Sequence, residues 1–488
     1  MPSRSVSLPH PSPRSGFARR LLFVLVASAV GTQAQAADLA TIARDAMKNN
    51  ADLASSRATF KSVEEARDVQ RGDLLPQVNA TANAANNRTF ESQTSTVRAG
   101  ASPNDDNYNS ASVGIEATQA LFDATNWYEL QRAEEQIGQQ VLVLEGERQQ
   151  TLYDVAEAYF NILQARDILA ARVAQEKAIS RQLEQAREQF EVGLIAITDV
   201  NEAQASYDLA RAQRIAAESD LQVSFESLER LTGKRYDAIS TLSEKLPIEV
   251  PEPNSRDAWV TLAMDNSPIL LAANQAINVA NRAVDVARAG YLPSLDAYAS
   301  YDYADSDNEY LVGENSGAEI GLRGSWAIFN GGSTSAQINS NTYQLEATQY
   351  DFESQRRLTI QQVRSLYTQV VNDVETVEAQ QQAIVSNRSA LEATRSGYEV
   401  GTRNIVDVLD AEQRLYTALA NYAEARYSYV IDLLALRRES GILETDTLQA
   451  LSEWLQTGEE VRLALPNEEG GRYEAMMDIG EPPTPPSE

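Results

Sequence analysis

The feature that most constrains this chain is a repeat. Residues 398–413 read YEVGTRNIVDVLDAEQ, and residues 190–204 read FEVGLIAITDVNEAQ. Gly193 aligns with Gly401 and Asp199 with Asp407, a constant offset of 208 residues. Self-similarity at a fixed offset is the mark of a chain built from copies of one supersecondary unit. Here the unit carries a glycine-centred, acid-bearing turn.

What precedes each turn is a long stretch without helix breakers. From Ala124 to Phe190 there is no proline and glycine only at Gly138 and Gly146, so this is one long helix or two nearly continuous ones. Unbroken, it would reach about 100 Å at ~1.5 Å per residue. Leu152, Val155, Tyr159, Ile162 and Leu169 fall on 3-4 spacing with Arg166 in the expected slot, the seam of a coiled coil. The second copy is more regular, with Ile360, Val363, Tyr367, Val370, Val374, Val377, Gln381 and Ile384 in unbroken register. After each turn a second helix follows, closed by Thr232-Gly233 in one half and Ser440-Gly441 in the other.

Upstream of each long helix the period changes. A helical pattern over 38–71 stops at Leu74-Leu75-Pro76, and Val78, Ala80, Ala82 and Ala84 then alternate with polar residues, as in a strand with one apolar face. A polar loop over 86–112 leads to a return strand through Val113, Ile115, Ala117 and Leu121. Leu292-Pro293 opens the equivalent hairpin in the second half, which is ten residues shorter; Leu295, Ala297, Ala299, Tyr301 and Tyr303 share one face of its first strand, and Ile320, Leu322, Trp326 and Ile328 one face of its second. Aromatic residues near strand ends suit a membrane interface. The predicted organisation is repeat 1 over 37–246 (hairpin about 77–122), a Pro-rich linker over 247–256, repeat 2 over 257–441 (hairpin about 294–329), and a C-terminal segment over 442–488, disordered from about 466.

Residues 1–36 read as a secretory signal peptide: Arg19-Arg20, a short apolar run, then Ala34-Gln35-Ala36. No later stretch is long and apolar enough for a spanning helix. The removed segment holds four arginines and no acid, so export deepens the net charge from −29 to −33. Such a surface excludes a nucleic-acid footprint. Cysteine is absent and the sole histidine, His10, lies in the removed segment, so no Ser-His-Asp or Cys-His mechanism is available to the mature chain. Carboxylate-pair hydrolysis is formally open, but no constellation supports it. No cofactor and no metal is expected.

Four strands cannot close a barrel. An open sheet with one apolar face should be completed by other copies of the chain, and this reasoning allows two, three or four. A stand-alone diffusion porin and a secreted coiled-coil structural protein both stay open here.

Six motifs in order carry a resemblance: Leu74-Leu75-Pro76; residues 118–123 (TQALFD); 190–201 (FEVGLIAITDVN); Tyr291-Leu292-Pro293; Phe329-Asn330-Gly331-Gly332; and 400–411 (VGTRNIVDVLDA). Over nearly its whole mature length the chain resembles the TolC family of outer-membrane efflux and type I secretion ducts. The resemblance implies an α+β membrane protein, a homotrimer in which four strands per protomer form a 12-stranded outer-membrane barrel in contact with lipid, continued by a 12-helix periplasmic α-barrel. It implies a periplasmic adaptor and an inner-membrane RND, ABC or MFS pump as partners, with drugs or proteins as cargo. Asp407 and Asp410 would form stacked carboxylate rings at the gate. Tyr398 and Arg403 would hydrogen-bond to Thr198 and Asp199 as its latch. Gly193, Leu194, Gly401 and Thr402 would be the tips offered to the adaptor. Read without the resemblance, Asp407 and Asp410 are solvated helix charges, Asp410 pairing with Arg414 and Arg403 with Asp407, and Tyr398 is ordinary coiled-coil packing. The chain departs from the family pattern at Arg395, where an acid is expected, which leaves a latch contact between that position and Gln182 open, and at Ala327, which replaces a proline.

Overall fold

The computed structural model describes residues 37–89, 106–242, 246–307 and 313–462. The expected signal peptide and the acidic tail lie outside them. Repeat 1 runs α1 (Leu39–Asn49), α2 (Ala51–Gly72), β1 (Gln77–Thr89), β2 (Asp106–Phe122), α3 (Ala124–Glu191), α4 (Ile197–Thr232) and β3 (Ala238–Leu242). Repeat 2 runs α5 (Arg256–Asn266), α6 (Pro268–Ala289), β4 (Ser294–Ser306), β5 (Asn315–Ser325), α7 (Ser333–Glu399) and α8 (Ile405–Glu439), and α9 (Thr445–Ser452) and β6 (Leu455–Arg462) follow.

The long helices are single and uninterrupted, 68 residues in α3 and 67 in α7. The helix expected over 38–71 is instead two. Asn50 closes α1 with extended backbone, and its side chain accepts the Leu53 N–H to cap α2, a competition with helix that asparagine is suited to win. Ser267-Pro268 makes the same break between α5 and α6 in the second half. The first hairpin also reaches further into the polar stretch than expected, because Asn86 donates from its side chain to Asn109 Oδ1 and extends the ladder with amide pairs.

The four long strands form one antiparallel sheet in the order β1-β2-β4-β5. Register places Val78, Ala80 and Ala82 beside Ala117, Ile115 and Val113, these beside Ala299, Tyr301 and Tyr303, and β5 sets Leu322 and Ile320 against Ala297 and Ala299. One face is therefore apolar across all four strands and exposed: Val78 is 68% exposed and Ile320 87%. The opposite face is polar, with Arg323 lying over the Tyr298 ring and paired to Glu116 at 4.0 Å. Both edges, β1 and β5, carry unpaired backbone groups.

Each strand hands over to a helix of the same rank, so α2, α3, α6 and α7 pack side by side in the order of the strands. Beyond them the row becomes α4, α3, α8 and α7. Along α7 the buried apolar positions are Val363, Val370, Val377, Ile384 and Leu391, seven apart throughout, as the periodicity predicts, with Thr359 also buried four residues before them, while Gln381 of the expected seam is exposed. The main core lies midway along, where Trp259, Tyr159, Phe160 and Tyr427 are buried among α1, α3, α5, α8 and α9. At the end of the stretch read as repeat 1, just before the Pro-rich linker, β3 pairs with β6 from the far end of the chain, and the Tyr159 hydroxyl donates to Ser240 O (2.6 Å) beside that pairing.

Candidate gate at the paired helix tips

Two helical hairpins end side by side at this pole of the protomer. Gly193 (φ +78°) and Gly401 (φ +76°) turn the chain in the left-handed region, where a side chain is strained, and no other atoms crowd either one. Backbone geometry, and not packing, demands glycine there. Val192, Leu194 and Val400 stand more than 70% exposed around the turns. Thr402 donates from its hydroxyl and its N–H to Gly397 O, closing the second tip.

The second tip is held more firmly than the first. Asn404 accepts the Asp407 N–H (2.8 Å) while Asp407 Oδ2 accepts the Asn404 N–H (3.2 Å), a reciprocal cap. Arg403 lies 3.9 Å from the same carboxylate. The matching start of α4, Ala196, has no side chain able to cap. Asp407 is thus a capping residue and an ion-pair partner within its own protomer. Asp410, one turn on, is exposed and lines a shallow groove with Arg414, and the Asp410–Arg414 ion pair is not formed among the described residues.

Within one protomer the expected latch residues find other partners. Among the described residues neither Thr198 nor Asp199 accepts from Tyr398 or Arg403. The Tyr398 hydroxyl donates instead to Gln189 Oε1 of α3 (2.7 Å), and its ring packs beside Ile179, Leu183, Ile405 and Leu409, a cluster that fastens the two hairpins together. Burial first, and the nearby Asp199 carboxylate after it, push the Tyr398 pKa upward, so it stays a neutral donor. Thr198 is exposed and Asp199 half-buried in the first turn of α4.

Arg395 does not reach Gln182. It binds Glu412 Oε1 of α8 at 2.5 Å, and Glu412 is wholly buried with its other oxygen unpartnered. One repeat earlier Arg187 donates to Gln204 (2.5 Å) on the exposed surface of the first hairpin. Both arginine braces join the two helices of a hairpin at matching positions. Neither Gln189 nor Glu412 stood out in sequence, because each lies in a long polar-rich helix with no breaker beside it; the matched Arg187/Arg395 and Gln204/Glu412 pairs were the available signal.

Among the described residues no cluster of acidic side chains or histidines is arranged to hold a metal ion, and no helix is long and apolar enough to cross a membrane.

The sequence model of the outer membrane efflux protein family matches residues 42–234 and again 259–441. This chain belongs to that family. It is 34% identical to the outer membrane protein TolC of Vibrio cholerae, over 91% of this chain and all of the relative. It is 30% identical to the alkaline protease secretion protein AprF of Pseudomonas aeruginosa, over 85% of this chain and 86% of the relative. Among solved structures it shares its fold with CusC (TM-score 0.72, 18% identity, 83% of this chain and 92% of that one). The Campylobacter jejuni CmeC outer membrane channel is similar in the same way (TM-score 0.70, 18% identity, 86% and 90%). The protein is therefore an outer-membrane efflux channel by family, mostly helical with a smaller sheet.

Proposed function

We propose that this protein is the outer-membrane exit duct of efflux and type I secretion systems, working as a homotrimer and not as an enzyme. The observation that carries this reading is a four-stranded sheet with an exposed apolar face and two open edges, continued by helices of 68 and 67 residues, about 100 Å long. Three copies bring β5 of one against β1 of the next and close twelve strands, which removes every edge. The same operation sets α7 of one copy beside α2 and α4 of the next, making twelve helices in the periplasmic section. Relatives named for toluene efflux, cation efflux and protease secretion support the conduit role.

The gate is the second helical hairpin. Around the threefold axis Asp407 and Asp410 form two stacked rings of carboxylate, which favour cations and oppose anions. The Tyr398–Gln189 bond holds this hairpin against the first while the Arg403–Asp407 pair stiffens its own tip, and bonds of about 1–3 kcal/mol in three copies are enough to bias a gate yet within reach of a docked partner. The exposed Val192, Leu194 and Val400 at the tips, with Gly193, Gly401 and Thr402, receive the periplasmic adaptor through which an RND, ABC or MFS pump delivers cargo.

Neutralising both carboxylates as Asp407→Asn with Asp410→Asn, in protein reconstituted into planar bilayers, should reduce cation over anion permeability several-fold. Unchanged selectivity would place the constriction elsewhere.

A further inference from the structure

Midway along the protomer, far from the tips, a cavity of 320 Å³ opens between residues 246–252, the last turns of α8, and α9. Pro251, Trp259, Leu433 and Leu451 give it an apolar lining, with Trp454 at its mouth. The groove is preformed. The Tyr429 hydroxyl donates to Glu249 O (2.8 Å) and accepts the Glu249 N–H, while Trp259 Nε1 donates to Pro253 O (2.9 Å), so the strap that makes one wall is fixed at both ends.

Arg437 reaches into this groove without a counter-charge. Its Nε is buried and has no hydrogen-bond partner, and no carboxylate of the described residues pairs with it. Burial pushes its pKa down, a sign that the cation is poorly solvated. A half-buried guanidinium left unpaired is costly, whereas its planar fork suits a carboxylate. At the rim stand two exposed acids, Glu249 and Glu252. The groove thus calls for an apolar segment with a carboxylate near its middle and a cation at one end.

The chain supplies such a segment. The described residues end at Arg462, and 26 more follow, of which 472–479 read Arg-Tyr-Glu-Ala-Met-Met-Asp-Ile. Arg472 is the only basic residue after Arg462, and methionine fits irregular apolar gaps well. Reach is sufficient: β6 spans about 27 Å from the groove's mouth to Arg462, and eleven extended residues from there to Tyr473 cover up to ~36 Å. We propose that residues 472–479 of the same chain seat in this groove, with Met476 and Met477 against Trp454 and Leu451, Glu474 or Asp478 on Arg437, and Arg472 between Glu249 and Glu252. The tail then straps α9 and β6 to α8, tying the end of the chain to the belt that encloses the main core.

The chain has no cysteine, so engineered pairs report directly. Ala450, which lines the groove and is exposed, is changed to cysteine together with Met477→Cys in the full-length protein, and the disulfide is formed with mild oxidant. The expected result is a bridge within one chain, forming at least ~10-fold faster than with Ser487→Cys in place of Met477→Cys, because a docked tail has a far higher effective concentration. Adding Arg437→Gln should slow it about 5-fold or more through loss of a charge-assisted bond. Equal rates at 477 and 487, indifference to Arg437→Gln, or a bridge found between two chains would each overturn the proposal.

Discussion

At positions 208 residues apart the two helical hairpins make the same brace with different chemistry: Arg187 holds the neutral Gln204 at the surface of the first, and Arg395 holds the buried carboxylate of Glu412 in the second. The pattern recurs. Ala196 leaves the start of α4 uncapped where Asn404 and Asp407 cap α8 reciprocally. Ala165 and Ser224 of the first hairpin stand where the second has Asp373 and Asp432, two neighbouring carboxyl groups between α7 and α8 whose burial pushes both above the usual carboxylate range. Duplication supplied one scaffold twice, and buried charge was concentrated in the second copy, where Glu412, Arg426 and Glu439 lie. A buried ion pair is poor evidence for net stability but holds one geometry tightly, which is what a hairpin that moves as a unit requires.

The comparison predicts unequal costs for matched changes. Arg395→Ala strands Glu412 as a buried, unpaired charge and should lower the local opening free energy of the second hairpin by about 3 kcal/mol. Arg187→Ala removes only an exposed hydrogen bond and should cost the first about 1 kcal/mol or less. Amide exchange along α4 and α8 reads both, and equal losses would erase the asymmetry.

Removing the cap by Asn404→Ala should cost about 1 kcal/mol at the start of α8. Ala196→Asn should gain a similar amount at the start of α4. Protection of the first-turn amides in each helix checks the pair, and a cap that matters equally little in both would count against a specially anchored second tip.

A third contrast is a pH dependence. Burial, followed by the adjacent Asp432, pushes Asp373 up to about 7. An acid whose folded pKa is raised keeps its proton in the folded state after the unfolded chain has lost it, so stability falls as pH rises from the unfolded value of about 4 to about 7 and stays low above that. Asp373→Asn should therefore gain thermal stability over wild type at about pH 8, with the gain shrinking to nothing by about pH 4. Ala165, lacking an acid, predicts no such trend for the first hairpin. A pH-independent difference would show that the Asp373 carboxyl is not pushed up in the folded state.

Much of this architecture was legible in the chain. The valines at 363, 370 and 377 announced the α7 seam because a seam is periodic and needs only local spacing. Strand alternation gave the register of the apolar face for the same reason. The break at Asn50 was missed because the apolar period continues through it, although asparagine's taste for capping was a signal. The β3–β6 pairing was not legible, since its two strands lie more than 200 residues apart and each is short. At the tips, sequence identified Tyr398, Arg403 and Asp407 and the Arg403–Asp407 pair, but not Gln189 as the partner of Tyr398. Gln189 and Glu412 are reached across a helix-to-helix gap, where spacing along one chain says nothing about which side chains meet.

The account rests on the second hairpin being the movable one. Tyr398→Phe with Arg403→Ser removes the bond to Gln189 and the pair with Asp407, while Ile195→Ser with Asp199→Asn alters the first tip on a comparable scale. Single-channel conductance in planar bilayers should rise several-fold for the former and stay close to wild type for the latter. No rise for the former, or an equal rise for both, would contradict the assignment of the gate to the α7–α8 hairpin.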